Sequence, residues 1–210
     1  MRPSVRPLIV AILLLAGSWP SALRADDTGG LAMGPGFGVA QVSGDLGRRF
    51  QARSVAVRVR SGLQHDWIGA ELDMAVVLLN ERGGGDNDTW TATLWGPSLA
   101  YYYRYRPIDL YLRGGVRVGH IVGPTRTETV PCTPPEDCVT REQTVTPRHP
   151  TFGLELAAGA QVHLARKRSG AHPVLWVDYS VRALRSSIDG QVMGGYMRQL
   201  AVGLAYGRGF

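Results

Sequence analysis

Several stretches of this 210-residue chain alternate between apolar residues and charged, polar or small ones. Alternate residues of a β-strand share one face. Each stretch therefore predicts a strand with one apolar face and one face of charged, polar or small residues. The charged residues are Arg58, Arg60, Glu71, Asp73, Arg104, Arg113, Arg117, Glu155, Asp178 and Arg182.

If these strands close into a narrow barrel with their charged faces inside, the charges of both signs have to pair, because an unpaired buried charge is strongly disfavoured. Two functions are compatible with such a network: a charged constriction that gates a pore, or an inert interior held together by salt bridges. Side chains can fill the interior of an eight-stranded barrel. The salt-bridged interior is therefore the favoured interpretation.

Hydrolytic and metal-dependent chemistry have weaker support in the sequence. Ser180 and Asp178 share a predicted strand face, as do Glu155 and His163. Some outer-membrane hydrolases of lipids use these residue types, but the parity places all four side chains inside, away from lipid.

The histidines are scattered without metal-ligand spacing, so no metal or other cofactor is expected. They are His65, His120, His149, His163 and His172.

Two cysteines, Cys132 and Cys138, lie close together in a long polar segment that includes Pro134 and Pro135. In an oxidising compartment such a pair is expected to form a disulfide. Closing so small a ring contributes roughly 2–3 kcal/mol, and only to the loop itself. A metal or redox pair is the alternative, although such pairs usually have C-x-x-C spacing or nearby histidines.

The last fifteen residues, 196–210, have the most regular alternation in the chain. Large and mostly apolar residues occupy the even positions, whereas small or polar residues occupy the odd ones. This pattern predicts a β-strand much longer than the average of about 5–6 residues. A tilted strand that crosses an outer membrane needs at least about 9–11 residues.

This ending resembles the terminal strand of the small eight-stranded outer-membrane β-barrels of the outer membrane protein A and W types. The resemblance rests on one face of the strand, with Leu200, Val202, Leu204, Tyr206 and Phe210. It implies that Leu204, Tyr206 and Phe210 form a signal read by the barrel-assembly machinery. Arg208 departs from the family pattern, in which an apolar residue is usual at that position.

Residues 1–25 are predicted to be a secretory signal peptide, and residues 26–210 to be the barrel domain. Arg2 and Arg6 precede an apolar run that is too short to span a membrane as a helix. Removing this segment leaves 20 basic and 17 acidic residues, a net charge of +3. Since no basic cluster with interleaved aromatic residues occurs, nucleic-acid binding is not expected.

Eight antiparallel strands are predicted for an all-β, up-and-down transmembrane barrel. They lie at about residues 31–42, 52–63, 67–80, 90–106, 109–122, 150–164, 173–184 and 196–210. Polar loops are expected at 44–50, 81–88, 123–149 and 186–195, with shorter turns between most other strands. Tyr101–Tyr105 is expected to form part of an interfacial aromatic belt. The even number of strands predicts that both chain ends face the periplasm.

The opposite face assignment, that of a soluble barrel with an apolar interior, is the alternative for the same pattern. Small residues decide against it, because Gly34, Gly36 and Gly38 would form a poor solvent-facing surface. In a narrow lumen they leave room for large side chains on the opposite wall. Outward-facing leucine and valine then contact lipid.

The sequence therefore predicts an integral protein of the bacterial outer membrane, not an enzyme, with a structural or loop-mediated surface role. A small-solute pore is the second hypothesis and a lipid-modifying enzyme the third. The expected partners are outer-membrane lipid, lipopolysaccharide and the barrel-assembly machinery. No periplasmic domain is expected.

Deleting Phe210 is expected to impair assembly, because the resemblance makes a carboxy-terminal aromatic residue part of the recognition signal. Heat-modifiable migration in gels and the yield in outer-membrane fractions measure this effect. Normal folded migration together with normal yield would contradict the assignment of the signal.

Overall fold

A computed structural model describes residues 29–51, 54–65, 67–83, 89–105, 108–130, 141–164 and 170–209. The predicted signal peptide, Cys132, Cys138 and Phe210 lie outside these residues, as do the side chains of Arg104 and Arg208. The cleavage site, the disulfide and the terminal part of the assembly signal therefore stay predictions.

The described residues form ten strands and one short helix. The strands are β1 (Gly29–Gly44), β2 (Ser54–His65), β3 (Ile68–Asn80), β4 (Thr89–Tyr105), β5 (Ile108–Val122), β6 (Arg126–Val130), β7 (Arg141–Val145), β8 (Arg148–His163), β9 (Gly170–Ile188) and β10 (Gln191–Gly209). The helix α1 (Asp45–Arg49) follows β1.

Eight of these strands close into an antiparallel barrel in the order β1-β10-β9-β8-β5-β4-β3-β2. The first and last strands pair directly, with Phe37 opposite Val202, so the barrel has no free edge. The start of β1 and the end of β10 lie at one end, called the terminal end below. The opposite end carries α1 and the β6–β7 hairpin and is called the loop end. The predicted eight-stranded barrel is confirmed.

Exposure alternates along the strands as the sequence predicted. On β8, Leu154 and Leu156 are 58% and 72% exposed, whereas the intervening Glu155 is 2% exposed. Apolar side chains thus cover the outer surface, and most of the described charged side chains of the barrel strands face the interior. A soluble barrel would require the reverse arrangement.

The connection between β9 and β10 is shorter than predicted. Asp189 and Gly190 form a two-residue turn in which both residues have positive φ, 52° and 77°. Asp-Gly at such a turn matches the right-handed twist of the flanking strands. The predicted loop at 186–195 is therefore wrong, because both strands continue past the membrane-facing region up to this turn.

Two predicted loops at the loop end contain regular structure. The polar loop at 44–50 includes α1, and its residues Leu46 and Phe50 are buried. The long insertion at 123–149 includes the β6–β7 hairpin, which forms a separate two-stranded sheet. The helix and the hairpin strands have five residues each, too short for a clear periodic pattern.

No helix within the described residues has the length and apolar character needed to cross a membrane.

Leu72→Arg is expected to destabilise the barrel by roughly 2–4 kcal/mol, the cost of a lipid-facing arginine near the middle of a bilayer. Leu78→Arg is the matched control, because Leu78 lies on the same strand near its loop end and both leucines are exposed, at 46% and 39%. Leu78→Arg should lower the free energy of unfolding by only about 0–1 kcal/mol, because an arginine near the interface can reach water.

The free energy of unfolding in lipid vesicles, measured by urea titration, distinguishes the two variants. A neutral effect of Leu72→Arg would show that the face assignment is inverted.

Candidate functional site in the barrel interior

Three layers of side chains fill the barrel interior. An apolar group at the loop end is called the loop-end cap. Below it lies the central ion-pair network, and the terminal-end cluster of Gln64, Asp109, Gln161, His163 and His172 lies nearest the chain ends. The network comprises Arg58, Arg60, Glu71, Asp73, Arg113, Arg117, Glu155, Asp178 and Arg182, all at most 7% exposed.

Arg58 connects three carboxylates at the centre of the network. Its Nε and Nη2 atoms donate to the two oxygens of Asp73, each at 2.8 Å. Its Nη1 donates to Asp178, and its Nη2 lies 3.2 Å from Glu155. Two parallel bonds between a guanidinium and a carboxylate fix both groups in one plane. Strands β2, β3, β8 and β9 are thus joined across the lumen.

Glu155 is the carboxylate that accepts hydrogen bonds from the most arginines in this network. It accepts from Arg113 and Arg117, each at 2.8 Å, and from Arg58 and Arg182. Register supplies one of these contacts, since Glu155 on β8 lies opposite Arg182 on β9. Arg113 and Arg117 lie two residues on either side of Gly115, the register partner of Glu155 on the neighbouring strand β5. Only Arg58 crosses the lumen to reach Glu155, which a narrow barrel permits.

A second tier of the network surrounds Glu71. Arg60 and Arg113 donate to its two oxygens at 2.8 and 2.9 Å, and Tyr102 donates to it as well. The sequence placed Tyr102 in an aromatic belt, but its side chain is 5% exposed and faces the lumen, as strand alternation requires. Its neighbours Tyr101 and Tyr103 face outward.

Aromatic rings complete this tier. Tyr111 donates to Asp178 at 2.9 Å, and the Arg60 guanidinium lies 4.6 Å from the Tyr111 ring centre and 5.2 Å from that of Trp176. Small residues make the space for these rings. A Cβ atom at Gly203 would collide with Trp176, and one at Gly159 would collide with Tyr111. Both glycines are the register partners of these aromatic residues, so the small inner faces accommodate large side chains from neighbouring strands.

The loop-end cap closes the other half of the lumen with apolar packing. Leu46 and Phe50, from the segment containing α1, insert between inward-facing residues of the strands, and Phe50 meets Trp90 edge-to-face at 5.5 Å. The strand residues of the cap are Ala40, Val42, Ala56, Val77, Leu79, Trp90, Ala92, Leu94, Ile121, Leu184, Ile188 and Met197.

Arg49 stabilises this cap through ion pairs and a ring contact on its outer side. It donates to Glu81 at 2.9 Å, pairs with Asp189 at 2.7 Å and lies 4.8 Å from the Trp90 ring centre. Hydrogen bonding from Arg49 lowers the pKa of the Asp189 carboxyl below its ordinary value. The contacts join α1 to the β3–β4 connection and to the β9–β10 turn.

The terminal-end cluster was missed by sequence reasoning, which treated the histidines as scattered. His163 at the end of β8 meets His172 near the start of β9, with His163 Nδ1 and His172 Nε2 2.9 Å apart. His163 Nε2 lies 2.9 Å from Asp109 Oδ2 on β5. His172 was assigned to a turn, but β9 begins at Gly170 and its alternation turns His172 inward. Extending the strand alternation to the ends of β8 and β9 would have placed both histidines on the inner face and predicted their contact.

The structure thus brings all nine network residues together. It gives no support to the hydrolase candidates, because Asp178 and Glu155 contact arginines and His163 contacts Asp109. Ser180 Oγ is buried and has no hydrogen-bond partner among the described residues. Leu204 and Tyr206 of the predicted assembly signal lie on the outer surface, 53% and 63% exposed.

Solved structures resemble this architecture. Neisserial surface protein A superposes with a TM-score of 0.57 at 13% identity, covering 86% of this chain and 97% of that one. The attachment invasion locus protein Ail of Yersinia pestis superposes with a TM-score of 0.51 at 13% identity, covering 85% and 98%. This chain has the fold of the small outer-membrane β-barrels. Ail has also been solved with the heparin analogue sucrose octasulfate, with a TM-score of 0.50 at 12% identity.

No protein-family model matches the sequence, and no curated protein matches it.

Glu155→Ala is expected to destabilise the barrel by about 3–5 kcal/mol, because arginines then face one another without their shared carboxylate. Glu155→Gln should cost less, since its amide oxygen still accepts a hydrogen bond. Urea titration in lipid vesicles measures both effects.

A double-mutant cycle with Arg182→Ala provides the control. Removing Glu155 and Arg182 together should cost less than the sum of the single changes, because each single change leaves the other charge buried. Additive effects would mean that the two side chains do not interact.

Proposed function

We propose that this chain is an integral outer-membrane barrel whose interior is a structural core and whose interactions are made at the loop end. The observation that carries the proposal is the filled interior. Apolar packing closes one half, and the ion-pair network crosses the other from wall to wall. A lumen filled in this way favours a structural or surface role over a pore.

The outer surface supports placement in a membrane. Leu99, Leu112 and Leu156 are each more than 60% exposed, at 68%, 64% and 72%. Apolar exposure of this kind around a whole barrel suits lipid and is unfavourable in water. Exposed aromatic residues flank it, namely Trp67, Tyr101, Tyr103 and Tyr206 toward the terminal end and Trp95, Phe152 and Tyr196 toward the loop end. Such girdles lie at membrane interfaces.

The topology supports one orientation of the chain in the membrane. Both ends of the barrel sequence lie at the terminal end, which we place in the periplasm, where the assembly machinery would read Leu204, Tyr206 and Phe210. The loop end then faces the cell exterior, in contact with the lipopolysaccharide leaflet. Long loops outside and short turns inside are usual for such barrels.

The β6–β7 hairpin is the main candidate for surface interactions. The backbone bond from Gly123 N to Pro147 O, 3.0 Å, closes its base, and the Thr125 and Thr146 hydroxyls lie 2.9 Å apart above it. The hairpin therefore extends beyond the closed barrel. Ail, which shares the fold, was solved with sucrose octasulfate, so this sulfated sugar is a suitable first probe for surface binding.

Single-channel recording in planar bilayers tests the closed interior. The wild type is expected to show no steady conductance. Glu71→Ala removes the partner of Arg60 and Arg113 and should either lower stability by about 3–5 kcal/mol or admit water and give measurable current.

A variant lacking residues 126–145 is the control. If the layers inside the barrel close the lumen, this variant should fold and show no current. A large and stable wild-type current that Glu71→Ala leaves unchanged would contradict the closed interior and favour the pore.

A further inference from the structure

The terminal-end cluster contains an uninterrupted chain of polar contacts that the proposed function does not use. Asp109 Oδ2 lies 2.9 Å from His163 Nε2, and His163 Nδ1 lies 2.9 Å from His172 Nε2. Gln161 Nε2 donates to the same carboxylate at 3.3 Å. Asp109 and His172 are 0% and 3% exposed. Two imidazole rings are thus held in contact beside a buried carboxylate.

The geometry of the two rings sets how many protons they can hold. Their centres lie 5.1 Å apart, which exceeds the nitrogen–nitrogen distance by about two ring radii, so the rings meet tip to tip. A hydrogen bond between two imidazole nitrogens needs one protonated donor and one unprotonated acceptor. At this separation the facing nitrogens can share only one proton.

A metal ion fits this arrangement less well. Tip-to-tip nitrogens direct their lone pairs at each other, whereas two ligands of a zinc ion direct theirs at a common third point. No group of three or more potential ligands suited to a metal occurs within the part of the chain that the structure describes. The shared atom that the contact accommodates is therefore hydrogen.

The surroundings of the pair include one buried carboxylate. Asp109 on β5 faces His163, while Gln64 on β2 and Gln161 on β8 add neutral amides. His172 lies opposite Gly207 on β10. On the lumen side, the next layer contains Trp176, Arg60 and Glu71. Arg104 on β4 is the register partner of Asp109, and its side chain lies outside the described residues.

We propose that Asp109, His163 and His172 form a proton-sensitive closure of the terminal end. The closure is intact while the histidines share one proton, and it opens when the pair takes up a second. Two protonated rings would present N–H groups to each other at 2.9 Å. Their repulsion separates the end of β8 from the start of β9.

The sign of the pH dependence follows from proton counting. The closed pair binds fewer protons than the opened pair, so acidification favours opening. The effect falls in the range where histidines titrate, about pH 5 to 8. The inference depends on the terminal-end geometry and is independent of any surface role of the loop end.

Scalar coupling across the hydrogen bond provides a direct test. In protein labelled with ¹⁵N-histidine in detergent micelles, coupling between His163 Nδ1 and His172 Nε2 is expected at about pH 8 and should be lost toward about pH 5. Amide exchange at Val162 and Val174, corrected for its intrinsic pH dependence, should rise by up to about tenfold per pH unit, the slope for uptake of one proton.

Two variants complete the test. His172→Phe should abolish the coupling and the additional pH dependence of exchange. His120→Phe is the matched control, because His120 faces outward on β5, and it should change neither. Coupling that is absent at about pH 8, or that persists unchanged to about pH 5, would overturn the proposal even if His172→Phe fails to fold.

Discussion

The pairing of buried arginines with carboxylates across the lumen is the interaction on which the rest of the structure depends. Five arginines and four carboxylates of the network occupy a space about one side chain wide. Each charge would be strongly disfavoured there alone. The strands must therefore hold a register in which Arg58, Asp73 and Glu155 reach one another. The small inner-face residues follow from the same constraint, since Trp176 and Tyr111 need space beside the network.

The sequence predicted this site well because, in a barrel, the alternation of residues along a strand is enough to tell which side chains face the lumen. Inward and outward positions alternate strictly along a strand, so the nine network residues could be assigned to the lumen from spacing alone. Their partners across the lumen could not be assigned. The contacts of Glu155 with Arg182, Arg113 and Arg117 join neighbouring strands and follow from register, but Arg58 on β2 reaches Glu155 only through closure of the barrel. Closure depends on strand tilt and stagger, which no single stretch of sequence contains.

Other features escaped prediction because they fall at the ends of strands or outside them. Leu46 and Phe50 belong to a segment too short to show a period, and only the cavity above the network explains their burial. Tyr102 sits among four other aromatic or charged residues, whose composition favoured an interfacial belt over strict alternation. His163 and His172 lie on either side of a turn, so their sequence separation hid a spatial contact. Asp189-Gly190 is different, because that dipeptide is a strong hairpin signal.

The three layers of the interior are closed by different physical interactions, and they respond to different conditions. Apolar packing holds the loop-end cap, and Arg49 adds exposed ion pairs that salt weakens. The central network keeps its positive charges at any ordinary pH, because guanidinium groups are not deprotonated in proteins. The proposed closure at the terminal end depends instead on the number of protons that the histidine pair holds. Acidification would thus loosen one rim of the barrel while two closed layers remain above it.

A conducting path would need all three layers to open together. The proton-sensitive closure is therefore better suited to changing the shape or contacts of the terminal rim than to gating transport.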